Sequence, residues 1–545
     1  MKKFYALIFL AFILHSDLLV AQKDIPHLNK VGDRFELIVK GEPFLMLGGE
    51  LGNSTASTLE SMEPVWSRLK QLNINTILTP VYWELLEPEE GKFDYRLVDE
   101  LILKARAYDF KLVFLWFGSW KNSMSSHAPG WVKLDQERFP RSKSESGISQ
   151  EILSAFSDNN LNADLEAYKH LLRHLGEFDK ENQTVILMQP ENEIGMLPSA
   201  RDYSDAANKK FSENVPADLI NYLQNNKEKL NPETIEIWGA NGYKTSGNWE
   251  DVFGKGLHTD EIFMAYYFAL YTDKICAAGK AEYNLPAYVN AALNAPGRKP
   301  GEYPSAGPLP HVLDIWKAAS PNIDFYSPDF YNPDFKLWND LYTRQGNPLF
   351  IPEHKFDNSV AAKALFAFGH YEALGFSPFS IEQMPGNPFS PKEEKLSQVY
   401  NIIYQIKPLL DKSRGQNKVE GVLLDKDVNE VTFTLGDYEF KAAHTFNLGW
   451  EPNSKSEEWE PAGAIVIQTG KNEFYYAGFG VTLTMKNLKK PNERVGILKT
   501  DRGNFIDGNW VVYQHLNGDQ THQGRHIRSF VDDVCIQRFT LYEYK

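Results

Sequence analysis

The sequence has little or nothing of several features that would assign it to a class of protein at once. Only two of its 545 residues are cysteines, Cys276 and Cys535, which is too few for a disulfide scaffold, and we expect two buried free thiols. It contains no His-Glu-x-x-His segment, no phosphate-binding glycine loop and no Gly-x-Ser-x-Gly segment. We therefore expect neither a metal ion nor any other cofactor.

Basic residues are also in deficit. The chain has 57 lysines and arginines against 72 aspartates and glutamates, which gives a formal net charge of -15 at pH 7. Nucleic acids and anionic membranes are bound by basic surfaces, so the charge argues against both as partners. It favours a neutral substrate.

The apolar run at the N terminus is too short to span a membrane. Residues 4–14 are eleven apolar residues, whereas a helix that crosses a bilayer needs about 20. Lys2 and Lys3 precede this run and the small residue Ala21 follows it, as in a signal peptide. We predict a signal peptide at residues 1–21, export to the periplasm or the medium and, since no cysteine lies near the cleavage point, no membrane anchor.

What the chain does have is length and aromatic residues. A chain of 545 residues is too long for one ordinary core, so we expect two domains. Aromatic residues make up 13% of it and include 12 tryptophans and 26 tyrosines. Most of these belong in a core, but flat rings also stack on flat, hydroxylated ligands.

Strand-like and helix-like segments alternate over the first two thirds of the chain. Nine apolar runs are candidate strands: residues 44–47, 76–82, 112–117, 185–189, 235–239, 287–292, 323–326, 349–352 and 376–381. We place residues 235–239 outside the sheet, because the long helical stretch 261–278 then separates the fourth strand from the fifth. Eight strands alternating with helices predict a (β/α)8 TIM barrel over residues 30–411.

The pattern changes after a polar linker at residues 411–418. From residue 419 onward, apolar and polar residues alternate with a period of two, and Gly, Asn and Asp separate the runs. No long helical stretch interrupts them. This predicts a smaller antiparallel β-sandwich over residues 419–545.

Two glutamates stand at strand ends of the predicted barrel. Residues 185–189 are followed by Pro190, Glu191, Asn192 and Glu193, and the run 348–352 is followed by Glu353. Because all barrel strands end at the same face, Glu193 and Glu353 can face each other across its mouth. Two facing carboxylates are what glycoside hydrolysis needs, one to protonate the leaving oxygen and one to attack or stabilise the sugar.

Two motifs resemble those of a known family. Residues 81–95, VYWELLEPEEGKFDY, look like the W-x-x-x-E-P-x-x-G-x-F-D signature of retaining β-galactosidases and their relatives. Together with residues 189–193, QPENE, they make the chain similar to glycoside hydrolase family 35, in particular to its bacterial branch with a C-terminal sandwich. The resemblance implies Glu193 as acid/base, Glu353 as nucleophile and Asn192 as hydrogen-bonding partner of the sugar 2-hydroxyl.

The chain also departs from that family. Residues 116–122, WFGSWKN, stand where the eukaryotic branch has R-x-G-P-Y-x-x-x-E, and the spacing of the two glutamates is closer to that of family 42. These differences leave the identity of the sugar open. Other expected contacts with the substrate lie at or just after strand ends: Trp83, Trp120, Lys121, Asn122 and Tyr331.

The sequence therefore predicts a retaining, exo-acting β-glycosidase that acts on a neutral carbohydrate, first of all a β-galactosidase. A β-glucosidase or a transglycosylase would use the same two glutamates and remains an alternative. A barrel that binds carbohydrate without catalysis is a second one, although the presence of both glutamates argues against it.

Overall fold

The computed structural model of the protein describes residues 25–293, 297–383 and 387–545. The predicted signal peptide, residues 1–21, lies outside this part of the chain. Among the described residues no helix is both long and apolar enough to cross a membrane.

Thirteen strands lie in the described residues that precede the C-terminal region. In chain order they are β1 (His27–Val31), β2 (Arg34–Val39), β3 (Glu42–Phe44), β4 (Met46–Glu50), β5 (Thr76–Tyr82), β6 (Lys111–Lys121), β7 (Arg141–Lys143), β8 (Ser149–Leu153), β9 (Val185–Asn192), β10 (Tyr288–Ala292), β11 (Phe325–Phe330), β12 (Phe350–His354) and β13 (Gly375–Pro378). Strands β1 to β3 form a small antiparallel sheet, and β7 pairs with β8.

The other eight strands form the predicted barrel. They are parallel neighbours in the order β10-β11-β12-β13-β4-β5-β6-β9. The sheet closes where Met188 in β9 forms a parallel bridge with Ala287, next to β10, and its N–H donates to the Pro286 carbonyl at 3.0 Å. Every residue of β5 and β9 is buried, which is why these strands read as continuous apolar runs rather than alternating ones. The (β/α)8 barrel is thus confirmed.

Helices surround the barrel and extend its loops. They are α1 (Leu59–Met62), α2 (Val65–Gln71), α3 (Trp83–Leu86), α4 (Arg96–Ala107), α5 (Gly130–Leu134), α6 (Asp158–Phe178), α7 (Asp205–Ser212), α8 (Ala217–Asn225), α9 (Pro232–Ala240), α10 (Trp249–Phe253), α11 (Leu257–Glu282), α12 (Leu313–Ala319), α13 (Phe335–Tyr342), α14 (Val360–His370) and α15 (Pro391–Ser413). Residues 235–239, one of the nine candidate strands, lie in α9, where Pro232 occupies the first turn. The placement of this segment outside the barrel sheet is confirmed.

The C-terminal region is built from ten strands. They are β14 (Val419–Leu424), β15 (Glu430–Leu435), β16 (Tyr438–His444), β17 (Ala462–Gln468), β18 (Glu473–Phe479), β19 (Val481–Asn487), β20 (Arg494–Ile506), β21 (Asn509–His515), β22 (Ile527–Arg528) and β23 (Cys535–Tyr544). Six of them form one antiparallel sheet, β14-β17-β18-β23-β20-β21, and four form another, β15-β16-β19-β22. Their facing side chains share a core that includes Val466, Phe474, Phe440 and Leu483, so the predicted sandwich is confirmed.

Strands β17 and β18 of the six-stranded sheet are buried on both faces. Alternate residues of β17 point in opposite directions: Val466 joins the sandwich core, whereas Ile465 and Ile467 join the core of the barrel. Glycine permits the close approach of α14 to this sheet, because a Cβ added to Gly369 would lie 2.6 Å from the Cα of Gly421 in β14. The barrel core therefore extends onto one face of this sheet, while the other face belongs to the separate core of the sandwich.

Candidate active site

Four carboxyl groups meet at the carboxyl ends of the barrel strands. Glu50 ends β4, Glu193 follows β9, Asp329 lies in β11 and Glu353 in β12, and all four are buried. Asp329 and Glu353 are register partners on adjacent strands. One carboxylate oxygen from each of Glu193, Asp329 and Glu353 lies within 4.8 Å of the other two. The barrel thus brings the two predicted catalytic glutamates together, with Glu50 and Asp329 beside them.

The groups around Glu353 shift its pKa in opposite directions. Burial first, and then the Glu193 carboxylate, raise the pKa of Glu353 to about 7. The Lys121 ammonium and the hydroxyl of Tyr331, which donates to Glu353 Oε1, act in the other direction. The second oxygen, Oε2, meets no N–H or hydroxyl donor in the described part of the chain, but the carboxyl group shares a hydrogen bond with the carboxyl group of Glu50. Glu353 can therefore hold or release a proton near neutral pH.

Glu50 and Asp329 were missed as site residues by the sequence reasoning. Burial and then the charge of Glu353 raise the pKa of each well above its ordinary range, so both favour the neutral form. Asp329 Oδ2 accepts from Asn290 Nδ2 at 2.5 Å, and Asn290 Oδ1 accepts from the N–H of Glu193 at 3.0 Å. Asn290, also missed, therefore links the backbone of Glu193 to Asp329. The only signal in the sequence was that each residue lies in or at the end of an apolar run.

The segment that carries Glu193 has an unusual backbone. Glu191 and Glu193 have φ values of 64° and 44°, in the left-handed region that side chains other than glycine rarely adopt. Hydrogen bonds hold it there: Gln189 Nε2 donates to the Glu191 carbonyl at 3.0 Å, and the Ser123 N–H donates to the Glu193 carbonyl at 3.1 Å. Such strain persists only where surrounding contacts fix it, and it is frequent at active sites.

Asn192 is buried between the two glutamates of this segment. Neither its side-chain oxygen nor its side-chain nitrogen has a hydrogen-bond partner within the described residues. A buried amide without a hydrogen-bond partner destabilises the folded protein. A ligand that forms hydrogen bonds with it removes this cost, so the contact contributes strongly to the free energy of binding. An amide can both donate to and accept from a hydroxyl group, which is the chemistry of a sugar contact.

Lys121, Asn122 and Tyr331 also lie at the mouth. Lys121 ends β6, is buried and lowers the pKa values of both Glu50 and Glu353, so its charge reaches the cluster. Its Nζ contacts Asn122 Oδ1, and Asn122 itself is exposed with a positive φ of 49°. Tyr331 is 52% exposed, so it forms the rim while its hydroxyl reaches inward to Glu353.

The two tryptophans that were expected to contact substrate lie elsewhere. Trp83 begins α3, has no exposed surface, and donates from Nε1 to Glu87 Oε2 at 2.9 Å. Trp120 is also fully buried and packs against Phe268 and Tyr271. The expectation is corrected: both indoles support the site from the core and offer no face to a ligand.

Comparisons with known proteins give two family matches. Residues 56–253 match the family model of glycoside hydrolase family 42, described as β-galactosidase, and this stretch includes Glu193. Residues 396–528 match DUF5597, a domain of unknown function. No curated protein matches the chain. The sequence motifs resembled those of family 35, whereas the matching model is that of family 42. The match therefore does not specifically support family 35.

Solved structures with a similar fold are distant in sequence. The β-galactosidase from the psychrophilic Marinomonas ef1 has 13% identity and a TM-score of 0.47 over 68% of this chain and 60% of its own. The β-galactosidase from Bacillus circulans sp. alkalophilus has 11% identity and a TM-score of 0.47 over 66% and 56%. The catalytic domain of the β-amylase from Paenibacillus polymyxa has 13% identity and a TM-score of 0.45 over 65% and 97%. The chain thus spans less than two thirds of the length of these two β-galactosidases.

Two facing carboxyl groups at the mouth of a barrel are the arrangement that glycoside hydrolysis needs. Over residues 56–253 the chain is similar to glycoside hydrolase family 42.

Proposed function

We propose that the protein is a retaining, exo-acting β-galactosidase. The observation that carries this proposal is the separation of Glu193 and Glu353, whose nearest carboxylate oxygens lie within 4.8 Å. Retaining glycosidases have their two carboxyl groups roughly 5–5.5 Å apart, whereas inverting enzymes leave roughly 6.5–9.5 Å for a water molecule. The shorter separation supports attack by an enzyme carboxylate.

The proposal gives the two glutamates the roles that the sequence motifs imply. In the first step Glu353 attacks the anomeric carbon, the bond to the leaving oxygen breaks, and Glu193 gives that oxygen a proton. Lys121 and the Tyr331 hydroxyl favour the ionised form of Glu353 that can attack. In the second step Glu193 takes a proton from water, the water oxygen bonds to the anomeric carbon, and Glu353 is released.

The surrounding polar groups supply recognition of the sugar. Asn192 has an unpartnered amide, and Lys121 and Asn122 lie beside it at the end of β6. Hydrogen bonds between these groups and sugar hydroxyls that strengthen in the transition state would add to catalysis. In this proposal Asn192 binds the 2-hydroxyl group.

Two measurements test the proposal. Aryl β-galactosides and β-glucosides differ only at the C4 hydroxyl, and we expect a clear preference in kcat/KM for the galactoside. Proton NMR of the first-formed sugar should show the β anomer. A preference for the glucoside would change the substrate, and an initial α anomer would refute retention.

We also propose that the protein is exported with cleavage after Ala21. The basic start, the short apolar run and the small residue before the cleavage point support this. N-terminal sequencing of the mature protein should begin at Gln22. A form recovered outside the cytoplasm that still begins at Met1 would contradict the proposal.

A further inference from the structure

A second pair of carboxyl groups lies behind the mouth of the barrel. Glu191 lies two residues before Glu193 in the chain, and Asp164 lies in α6. Neither side chain has any exposed surface. The two carboxyl groups are joined by a side-chain hydrogen bond. They are packed so closely around Gly118 that a Cβ there would lie 2.7 Å from Asp164 Oδ1 and 2.8 Å from Glu191 Oε1.

The hydrogen bonds around the pair decide which carboxyl holds a proton. Asp164 accepts two N–H groups, from Trp116 Nε1 at 2.8 Å and from the Ser119 backbone at 3.0 Å. Glu191 Oε2 accepts from the Trp120 N–H at 2.7 Å, and the Ser119 N–H also faces the Glu191 carboxyl group, but Oε1 has no well-aligned N–H or hydroxyl donor in the described part of the chain. Two carboxyl groups can bond to each other only if one is protonated, and Glu191 Oε1 is the position without a competing donor.

Among the described residues, no cation that could neutralise two ionised carboxylates contributes to the pKa shift of Glu191. The other titratable groups that face the pair are the phenols of Tyr168 and Tyr271 and the carboxyl group of Glu87. Burial and then the Asp164 charge raise the pKa of Glu191 well above its ordinary range, in the direction that the hydrogen-bond geometry requires.

We infer that Glu191 carries a proton that it shares with Asp164, and that this pair positions the catalytic segment of the active site. The inference rests on the proposed role of Glu193 as acid/base. Glu191 is one of the two residues of its segment with left-handed φ, and its side chain is anchored through Trp120 to the end of β6. The pair thereby ties two facing turns together, one carrying Glu193 and the other carrying Lys121.

Substitutions that differ only in hydrogen bonding test the inference. In Glu191→Gln, the amide oxygen can still accept from Trp120 and the amide N–H can donate to Asp164, so we expect kcat/KM within about threefold of wild type. In Glu191→Leu both bonds are lost. In Asp164→Asn one amide N–H must face the Trp116 or Ser119 donor, so this variant should behave like Glu191→Leu.

The dependence on the leaving group separates positioning from general loss of structure. A phenyl galactoside needs the proton of Glu193 for departure, whereas a dinitrophenyl galactoside does not. In Glu191→Leu we expect kcat/KM to fall about ten- to a hundredfold for the phenyl substrate, as expected for a misplaced catalytic group, and less than threefold for the dinitrophenyl substrate. Equal losses on both substrates, or a Glu191→Gln variant as impaired as Glu191→Leu, would overturn the inference.

Asp179 provides a matched control at the opposite end of the same strand. It is fully buried and accepts from the Val185 N–H at 2.7 Å and from Arg106 Nη2 at 2.6 Å. Asp179→Asn should lower the thermal stability and leave the ratio of the two kcat/KM values unchanged. If Asp179→Asn also changed the ratio of kcat/KM for the two substrates, any loosening of β9 would have the same effect as Glu191→Leu. That result would also overturn the inference.

Infrared spectroscopy detects the proton without any turnover. At pH 7 the difference spectrum of wild type minus Glu191→Gln should show the carbonyl band of a protonated, buried carboxylic acid, because the bands of the neutral Glu50 and Asp329 are common to both proteins and cancel. An identical band in both proteins would show that Glu191 is ionised and would refute proton sharing. If wild-type protein hydrolyses no glycoside at all, the proposed function fails while this measurement still decides the state of the pair.

Discussion

Two buried glutamates in the barrel domain have pKa values that are shifted in opposite directions. Glu261 is 2% exposed, and its oxygens accept from the Tyr303 hydroxyl at 2.9 Å, the Ala306 N–H at 3.1 Å and His311 Nε2 at 3.0 Å. Burial alone would raise the pKa of Glu261, but the charge of His311 and these hydrogen bonds lower it. Glu353 is similarly buried, yet its pKa is raised to about 7.

The difference lies in the partners rather than in depth. Glu261 has a cationic neighbour and a donor for each oxygen, so the fold stabilises its charged form. Glu353 also has a cation nearby, Lys121, but burial and the Glu193 carboxylate outweigh it, and its Oε2 meets no N–H or hydroxyl donor among the described residues, so the fold stabilises its charged form less. A protein keeps such a site when the chemistry requires it, because the arrangement costs stability.

Removal of the nucleophile should give the largest effect. Glu353→Ala leaves no carboxylate to attack the anomeric carbon, so activity should fall to background on every substrate, good and poor leaving groups alike. Initial rates with phenyl and dinitrophenyl galactosides measure this. Glu473→Ala, which breaks an ion pair with Arg538 in the sandwich, serves as the control and should stay active. Azide should restore turnover of Glu353→Ala with the α-glycosyl azide as product, and a β product would contradict the role of Glu353.

Removal of the acid/base should have a smaller, substrate-dependent effect. Glu193→Ala should lose about 10²- to 10⁴-fold in kcat/KM on a phenyl galactoside, the usual contribution of a general acid. With a dinitrophenyl leaving group the intermediate still forms and then accumulates, which a burst of dinitrophenolate would reveal. Azide should intercept this intermediate and give a β-galactosyl azide. The same loss on both substrates, with no rescue by azide, would remove the role assigned to Glu193.

Stability measurements sharpen the comparison between Glu353 and Glu261. The folded-state pKa of Glu353 lies above its unfolded value, so the folded state binds the proton more tightly and stability falls as pH rises from about 4.5 through about 7. At pH 8, Glu353→Gln should therefore raise the free energy of unfolding by about 1–3 kcal/mol.

For Glu261 we expect the free energy of unfolding to change in the opposite direction. Its folded-state pKa is lowered, so its contribution to stability is present above the unfolded pKa and is lost as pH falls through the folded one. At pH 8, Glu261→Gln should lower the free energy of unfolding by about 1–3 kcal/mol. Urea unfolding of both variants at pH 8 measures the pair. Two changes of the same sign would show that depth of burial, not the set of partners, governs these carboxyl groups.

Removal of one hydroxyl group should give the smallest effect. The Tyr331 hydroxyl lowers the pKa of Glu353, so Tyr331→Phe should raise that pKa, because a hydrogen bond to the ionised carboxylate is lost. The acidic limb of kcat/KM against pH, near 7 in the wild type, should move to higher pH. Tyr371→Phe removes a hydroxyl that donates to Asp340 at 2.7 Å and should leave the limb in place. A limb that moves to lower pH would contradict the assignment of this limb to Glu353.

The sequence was sufficient to predict the barrel and the two central glutamates. A strand buried on both faces reads as an unbroken apolar run, and β9 and β12 are such runs with Glu193 and Glu353 at their ends. The change to a period of two after residue 419 likewise predicted the sandwich, because each sheet there has one face toward the other.

The remainder of the site could not be ranked from the sequence. Polar residues occur at most strand ends, and which of them converge depends on the tilt and stagger of the strands, so Glu50, Asp329 and Asn290 had no distinguishing mark. The two tryptophans failed for a related reason. Trp83 follows β5 as predicted, but the chain turns directly into α3 and directs the indole into the wall of the barrel.

The six-stranded sheet, with apolar side chains on both of its faces, limits how the gene could be cut or recombined. A protein shortened before residue 419 would leave the outer side of α14 and α15 without its cover, and an isolated sandwich would expose Ile465, Ile467 and Phe479 to water. Neither half is therefore suited to be a free-standing module. Exchange of this C-terminal region between enzymes would succeed only if the last helix of the barrel, α15, were exchanged with it. The DUF5597 match begins at residue 396, within that helix.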